Sequence, residues 1–425
     1  MMKRTICVVG LGYIGLPTAV MFSNHGHIVH GVDVNAKAVE KLQNKQLHIE
    51  EEGLQVRLNK AIDSGNLTVS TTPQKADVFI IAVPSPIKPD KSADLEYVRT
   101  ATASIVPFVE AGNLVILEST VPPKTVENVM LPELVKSGLA IGDELFVSHS
   151  PERVIPGRVF EELVSNDRII GGVNPISATM TTELYSSFVK GKMHETDATT
   201  AELVKVMENT YRDVNIAFAN ELAKIAGNIG VNIWEAIKLA NYHPRVNIHT
   251  PGPGVGGHCI AVDPWFLVEL DQKNAQLIHL ARSTNDGMPA YTAQLTKDIL
   301  KAKGIAQPKI AVLGLAFKGN IDDMRESPSM EVIEQLQEQA IDYIAFDPHI
   351  KENNLEKQTQ QLEVALEKAD AILILTDHQA FKDLDPTLLK DQMQHSIIID
   401  TKNCINRRTW EKAGFDVFVL GDSKN

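Results

Sequence analysis

The stretch 5-TICVVGLGYIGLPTAV-20 is a short apolar run, a glycine loop and the opening of an apolar helix. Its centre, 10-GLGYIG-15, has the spacing G-x-G-x-x-G. That spacing is weak evidence alone. It gains specificity from the strand before it, the helix after it, and an acidic residue, Asp33, 18 residues beyond Gly15 at the end of the next apolar run, 27-HIVHGVD-33. In such a unit Gly10 makes the tight turn, Gly12 lets a pyrophosphate approach the backbone, and Gly15 lets helix and strand pack closely. The helix N-terminus then offers unpaired N–H groups to the diphosphate. A carboxylate at Asp33 bonds both hydroxyls of an adenosine ribose and repels a 2′-phosphate, so NAD is expected over NADP.

Working outward, 16-LPTAVMFSNHG-26 predicts a helix closed by Gly26, and 35-NAKAVEKLQNK-45 a second helix. The runs 76-ADVFIIAVP-84 and 113-NLVILEST-120 predict further strands with a helix between them. Strand and helix alternate as in a parallel sheet covered on both faces. The same order returns about 300 residues later: 309-KIAVLGLAFKG-319, 342-DYIAFDPH-349, 369-ADAILILTDH-378 and 395-HSIIIDTKN-403. Between the copies, 199-TTAELVKVMENTYRDVNIAFANELAKIAGNIG-230 has apolar residues at helical spacing and neither Pro nor Gly before Gly227. The expected fold class is α/β: two Rossmann-like doubly wound domains joined by a long central helix and a helical middle domain. The expected divisions are an NAD-binding domain at 1–198, a helical dimerisation and catalytic domain at 199–302, and a second nucleotide domain at 303–425.

Composition narrows the function. A net charge of −13 over 425 residues argues against a general nucleic-acid binder, which needs a cationic excess to neutralise phosphates. Three scattered cysteines, Cys7, Cys259 and Cys404, form no CxxC pair, so no zinc site, no other metal site and no disulfide framework is expected, and a reducing, cytoplasmic compartment fits. No run approaches the roughly 18 apolar residues of a membrane helix, and the N-terminus reads as a strand, not a leader.

Three further segments carry chemistry. In 314-GLAFKG-319 Ala316 replaces the second glycine, which disfavours a second dinucleotide; Lys318 and Arg325 instead suit another phosphorylated ligand such as a nucleotide sugar. In 202-ELVKVMENTYRDVN-215, Lys205, Asn209 and Arg212 share one helical face. In 252-GPGVGGHCIAVDPWF-266, Cys259 follows a glycine run and precedes Asp263-Pro264, which reads as an N-cap and first helical residue. A thiol just ahead of a helix N-terminus can be stabilised as thiolate. His258, its sequence neighbour, points the other way in extended chain, so no Cys–His dyad is implied. From the residues alone, solvated surface charges at Lys318 and Arg325, a surface face for the Lys–Asn–Arg stripe and an inert buried cysteine remain open. Together, a dinucleotide domain and a reactive thiol suggest oxidation of an alcohol through an aldehyde, a thiohemiacetal and a thioester to a carboxylate, with a lysine near the alkoxide.

The chain resembles the UDP-glucose/GDP-mannose dehydrogenase family over nearly its whole length, most closely the branch acting on UDP-N-acetyl-D-mannosamine. The resemblance rests on GLGYIGLPT, IAVPSP, ILEST, SPERVIPG, ENTYRDVNIAFANEL, NYHPRVNI, PGPGVGGHCIAVDPWF and LGLAFKGNIDDMRESP. It implies a four-electron oxidation with two NAD, Cys259 as nucleophile and Lys205 as acid/base or alkoxide stabiliser. Asn209 and Asp263 would hold Lys205 and place water, with Thr120 and Glu152 beside the reacting centre. Gly10, Gly12, Tyr13, Ile14, Gly15, Asp33, Ser85 and Thr120 would contact NAD. Arg153, Val154, Lys205, Asn209, Arg212, His243, Arg245, Gly256, Lys318 and Arg325 would hold or border a UDP-N-acetylhexosamine, with Arg245 crossing the interface of a homodimer. The resemblance implies a product used in surface polysaccharide. Two departures stand out. UDP-glucose members carry PEFLxEG where this chain has 151-PERVIPG-157, with Pro156 at the second acidic position, and Lys402 stands where many relatives have Arg. The competing readings are a UDP-N-acetylglucosamine 6-dehydrogenase and a non-catalytic nucleotide-sugar or NAD sensor; the intact set Lys205, Asn209, Cys259 and Asp263 argues against the sensor.

Overall fold

The computed structural model describes residues 3–155 and 157–422. The chain forms two compact units, Met1–Glu208 with Trp265–Gln272, and Asn209–Pro264 with Lys273–Asn425. The helical stretch expected as a middle domain is therefore shared out between two units.

The first unit is built on β1 (Thr5–Val9), β2 (Ile28–Val32), β3 (Leu67–Ser70), β4 (Val78–Ile81), β5 (Leu114–Leu117), β6 (Phe146–His149), β7 (Arg168–Gly172) and β8 (Met193–Asp197). Their order is β3-β2-β1-β4-β5-β6-β7-β8. All neighbours are parallel except β6 and β7. Cys7, Val8, Phe79, Ile80, Val115 and Ile116 are all inaccessible, as expected of strands covered on both faces. Apolar clusters lie on each side, one around Leu16, Phe22 and Leu58, the other around Val98, Met130 and Leu134. The strand order reverses beside β1, where β2 and β4 flank it, and such a switch point opens a ligand crevice at the carboxyl ends of the strands.

The second unit repeats the plan. Strands β9 (Lys309–Leu313), β10 (Asp342–Phe346), β11 (Gln358–Thr359), β12 (Ala371–Ile374), β13 (Ile397–Asp400) and β14 (Asp416–Val419) are ordered β11-β10-β9-β12-β13-β14, all parallel. The repeat legible in the sequence is thus real: β9, β10, β12 and β13 stand where β1, β2, β4 and β5 stand in the first sheet. The first sheet is larger than the sequence reading, which named neither the helix Leu54–Asp63 nor β3, β6, β7 and β8.

The long helix runs 32 residues, Ala198–Ile229, passing through Gly227 without a break. The Gly15–Asn24 helix ends as expected, with Gly26 at φ +92. No helix among the described residues is long and apolar enough to cross a membrane.

Candidate functional site

In the first unit the glycine loop sits at the switch point. The Gly10 amide bonds the Val32 carbonyl at 2.8 Å, and the Ala82 amide bonds the Val9 carbonyl at 2.8 Å, which locks the loop to both neighbouring strands. Gly10 has φ +94, and a Cβ there would lie 2.4 Å from the Ala82 oxygen. A Cβ on Gly15 would lie 1.9 Å from the Gly10 oxygen, so helix and strand meet with no room for a methyl. Gly12 is different: a Cβ there would meet nothing within 4 Å, leaving open space at the point where a pyrophosphate is expected. Ile14 precedes the first helical residue, and Tyr13 is 37% exposed beside it. Asp33, half-buried at the end of β2, accepts from the Leu11 amide at 2.9 Å and the Asn35 amide at 2.8 Å. These amides fix the carboxylate against the glycine loop while leaving it accessible. The site fits a dinucleotide.

Behind it, two serines tie the loops that follow β4 and β5. Ser85 Oγ donates to the Thr120 carbonyl, and Ser119 Oγ donates to the Val83 carbonyl at 2.6 Å. Lys205, on the long helix, is only 9% exposed and makes no hydrogen bond or ion pair with the described residues. An ammonium buried without a counter-charge is suited to meet one on a ligand. His149, fully buried, is pushed down to about 3 by burial, and Lys205 adds to the shift, so it is neutral at physiological pH. Glu152 follows β6 and is 8% exposed; it accepts from Arg168 and, at 2.8 Å, from the Arg153 amide. The Arg153 guanidinium is engaged with Glu208, with Nε at 3.1 Å and Nη2 at 2.8 Å, and Val154 packs against the apolar core. Pro156 lies outside the described residues.

In the second unit, Arg212 donates to the Asn209 side-chain oxygen, and the Asn209 amide donates to Asp263. Asn209 and Asp263 are 1% and 2% exposed. The helix expected to be capped by Asp263 instead starts at Asp263, spanning Asp263–Leu270. Its carboxylate is turned to Asn209, and its amide bonds the Cys259 carbonyl at 2.9 Å. A chain of contacts thus runs from Arg212 to the turn that carries Cys259, whose residue is exposed.

The glycine run before Cys259 has a packing cause that the sequence did not show. Cβ atoms on Gly256 would lie 2.5 Å from the Glu326 oxygen, 2.6 Å from Pro328 and 2.8 Å from Phe317. Gly257, at φ +86, lies against the Phe317 ring. Arg325 is paired with Asp323 through Nε at 2.8 Å and Nη2 at 2.7 Å, and Lys318 is exposed. His243 and Arg245 are exposed neighbours, joined by the Arg245 amide to His243 Nδ1 at 3.3 Å. Lys402 runs beside Gly252, its Nζ 3.4 Å from the position of a Cβ there. Partial desolvation lowers the pKa of His258, with Arg325 acting in the same direction.

The second unit's copy of the fingerprint has closed on itself. Asp347, at the place of Asp33, is 1% exposed and accepts from the Leu315 amide at 2.7 Å, the Ala316 amide at 3.1 Å and His378 at 2.9 Å. It has no face left for a ribose. Only one of the two Rossmann-like sheets is therefore equipped for a dinucleotide.

Known proteins agree with this division. The NAD binding domain of the UDP-glucose/GDP-mannose dehydrogenase family matches residues 4–189, its central domain 199–287 and its UDP binding domain 311–407. A UDP-N-acetyl-D-mannosamine dehydrogenase of Methanococcus maripaludis is 49% identical over 99% of this chain and 97% of its own. The chain belongs to the UDP-glucose/GDP-mannose dehydrogenase family. It is an oxidoreductase with NAD as its cofactor. An NDP-N-acetyl-D-galactosaminuronic acid dehydrogenase of Ralstonia solanacearum is 46% identical over 94% of this chain and 96% of its own. Among solved structures, a UDP-D-ManNAc dehydrogenase of Pyrococcus horikoshii superposes with TM-score 0.94 at 43% identity, covering 99% of this chain and 100% of its own. A UDP-N-acetyl-mannosamine dehydrogenase of Staphylococcus aureus gives 0.90 at 47% identity, covering 99% of each.

The residues missed by sequence reasoning are buried charges. Glu118, Arg168 and Tyr185 form a cluster with Glu152. Glu202, fully buried on the long helix, accepts from the Lys124 amide at 2.5 Å and the Val126 amide at 2.8 Å, holding the segment after Thr120. The available signal was a charged residue at the end of an apolar strand, LVILE and RIIGG, which has to find a partner when the strand is covered.

Proposed function

We propose that this protein oxidises UDP-N-acetyl-D-mannosamine at C6 to the uronate, for use in surface polysaccharide, and that it works in the cytoplasm. The observation that carries the reading is the buried Arg212–Asn209–Asp263 chain ending at the Cys259 turn. It gives a nucleophile-bearing turn a fixed attachment to the helix that also carries Lys205, one turn before Asn209 on the same face.

Bound NAD supplies a hydride acceptor for each of two oxidations, and Gly12, Asp33, Tyr13, Ile14, Ser85 and Thr120 are the residues that would hold it. Lys205 stabilises the C6 alkoxide formed when the alcohol loses its proton. Once the alkoxide has given up its hydride, the Cys259 thiolate adds to the resulting aldehyde carbon, forming a C–S bond and, with a proton from Lys205, a thiohemiacetal. Loss of the second hydride and a proton leaves a thioester, which water cleaves to the carboxylate and free thiol. Asn209 and Asp263 place the water, and Glu152 supplies a fixed anion for the reaction. Arg212, His243, Arg245, Gly256, Lys318 and Arg325 are the residues offered to hold or border the nucleotide sugar, together with Arg153 and Val154. Asp347 being filled internally supports a ligand other than a dinucleotide for the second sheet.

The protein is read as a homodimer. On the long helix Tyr211, Phe218 and Ile225 recur every seven residues and are 59%, 50% and 46% exposed. Beside them Leu222, Ile229, Ile237 and Ile248 line an apolar recess of about 240 Å³. A second copy covering this face would bury it and bring Arg245 across. The relative named for a galactosaminuronic acid favours a second reading, another UDP-N-acetylhexosamine epimer, alongside the glucosamine one. Comparing kcat/KM for UDP-N-acetyl-mannosamine, -glucosamine and -galactosamine settles this. The proposal requires the mannosamine to be preferred by at least about tenfold, roughly 1.4 kcal/mol; preference for either other epimer overturns it.

A further inference from the structure

Glu118, Glu152, Arg168 and Tyr185 come from four places in the first unit: the residue after β5, the loop after β6, the start of β7, and the end of the Pro175–Tyr185 helix. Their exposures are 2%, 8%, 4% and 0%. Arg168 Nη2 donates to Glu152, Nη1 donates to Ser150 Oγ at 3.1 Å and lies 3.5 Å from Glu118, and the guanidinium carbon stands 4.0 Å from the Tyr185 ring centre. Tyr185 donates its hydroxyl to Glu118. Two carboxyl groups share one guanidinium in a buried cluster. With both ionised the cluster carries an uncompensated negative charge, and paired carboxyls in such surroundings keep one proton between them.

The hydrogen bonds decide which carboxyl keeps it. Glu152 receives a donor on each oxygen, Arg168 on one and the Arg153 amide on the other. Donors on both sides favour the anion. Glu118 receives Tyr185 on one oxygen, while its other oxygen is buried with no hydrogen bond of good geometry.

We propose that Arg168 and Tyr185 are positioning residues that hold Glu152 as a fixed anion, and that Glu118 stores the one proton of this cluster. The role for Glu152 rests on the functional reading above; the proton storage does not. Burial pushes Glu118 up to about 7; Arg168 opposes this, Glu152 adds to it, and the hydroxyls of Tyr185 and Thr18 oppose it. Those four side chains, from β7, the loop after β6 and two helices, are the charged and polar groups facing it. Above about pH 7 Glu118 ionises and competes with Glu152 for Arg168. The rate then falls with rising pH, because Glu152 is no longer held alone.

The test has two arms on the full chain. Difference infrared spectroscopy without substrate follows the protonated-carboxyl band from about pH 5 to about pH 9. In a Glu202→Gln background, which removes the other carboxyl that burial raises to about 7, the protein loses a band with a midpoint near 7, addition of Glu118→Gln abolishes that band, and addition of Tyr185→Phe, which removes a donor to the anion, moves the midpoint upward. Absence of the band in the Glu202→Gln background, or its survival there when Glu118→Gln is added, overturns the proton storage. In the second arm, with NAD and the nucleotide sugar, Arg168→Lys lowers kcat more than about tenfold with KM changed less than about threefold. Tyr185→Phe shifts the alkaline limb of kcat upward. An unchanged kcat and unchanged limb in both variants overturn the positioning role. An enzyme that shows the infrared titration yet oxidises none of the three sugars supports proton storage and sinks the functional reading instead.

Discussion

Replacing Gly256 with alanine places a methyl carbon 2.5 Å from the Glu326 carbonyl oxygen, 2.6 Å from Pro328 Cδ and 2.8 Å from Phe317 Cβ. Two of these neighbours are a backbone atom and a proline ring, which cannot rotate away. Relief to an ordinary contact of about 3.4 Å requires a shift of nearly 1 Å, and Cys259 lies three residues along the same loop. Overpacking of this kind costs about 1–3 kcal/mol of stability. Displacement of a nucleophile by about 1 Å costs up to about 100-fold in rate. Gly256→Ala is therefore expected to lower kcat by about 10- to 100-fold while the KM for NAD, whose site is in the other compact unit, changes little. Steady-state kinetics with both substrates and a thermal melt measure this together. A variant with wild-type kcat and melting temperature would show that the glycine is not required by its packing on Phe317, Glu326 and Pro328.

Gly12→Ala, entering open space, should leave the melting temperature within about 1 °C yet raise the KM for NAD at least about tenfold; Gly15→Ala, with its methyl 1.9 Å from the Gly10 oxygen, should reduce folded yield itself. Asn209→Ala removes the donor to buried Asp263 and should cost about 1–3 kcal/mol in chemical denaturation, with kcat falling more than KM changes; an unaltered denaturation midpoint would contradict the link. Glu202 is pushed up from 4.5 to about 7 by burial, despite two amide donors. The folded chain holds a proton between those values that the unfolded chain releases, so stability falls as pH rises through that window, and Glu118 acts with the same sign. Glu202→Gln should make that decline shallower by up to about 1.4 kcal/mol per pH unit, measured by denaturation at several pH values.

The sequence was most legible where the physics is local. The fingerprint from Thr5 to Asp33 and its echo from Lys309 to Asp347 are contiguous, and each specified a strand, a turn and a following strand that the fold contains. The alternation of apolar runs carried the two parallel sheets. What failed depended on neighbours distant in the chain. The packing of Gly256 and Gly257 was not foreseen, because nothing in the run reveals Phe317 and Pro328 some 60 to 70 residues away. Asp263 was read as a cap because its local pattern fits one, but Asn209 claims the carboxylate. Asp347 resembles Asp33 in sequence and differs only because His378 and two amides enclose it. The Glu118–Arg168–Tyr185 cluster joins residues separated by 17 to 67 positions, which one sequence cannot pair.

The central claim is that Cys259 carries the substrate between two oxidations. Counting NADH formed per UDP-N-acetyl-D-mannosamine consumed, in wild type and in Cys259→Ser, tests it most directly. The account predicts two NADH and one uronate per sugar in wild type, and in the variant loss of uronate formation at the second oxidation. A single NADH with free aldehyde in the wild type, or undiminished uronate from Cys259→Ser, would contradict it.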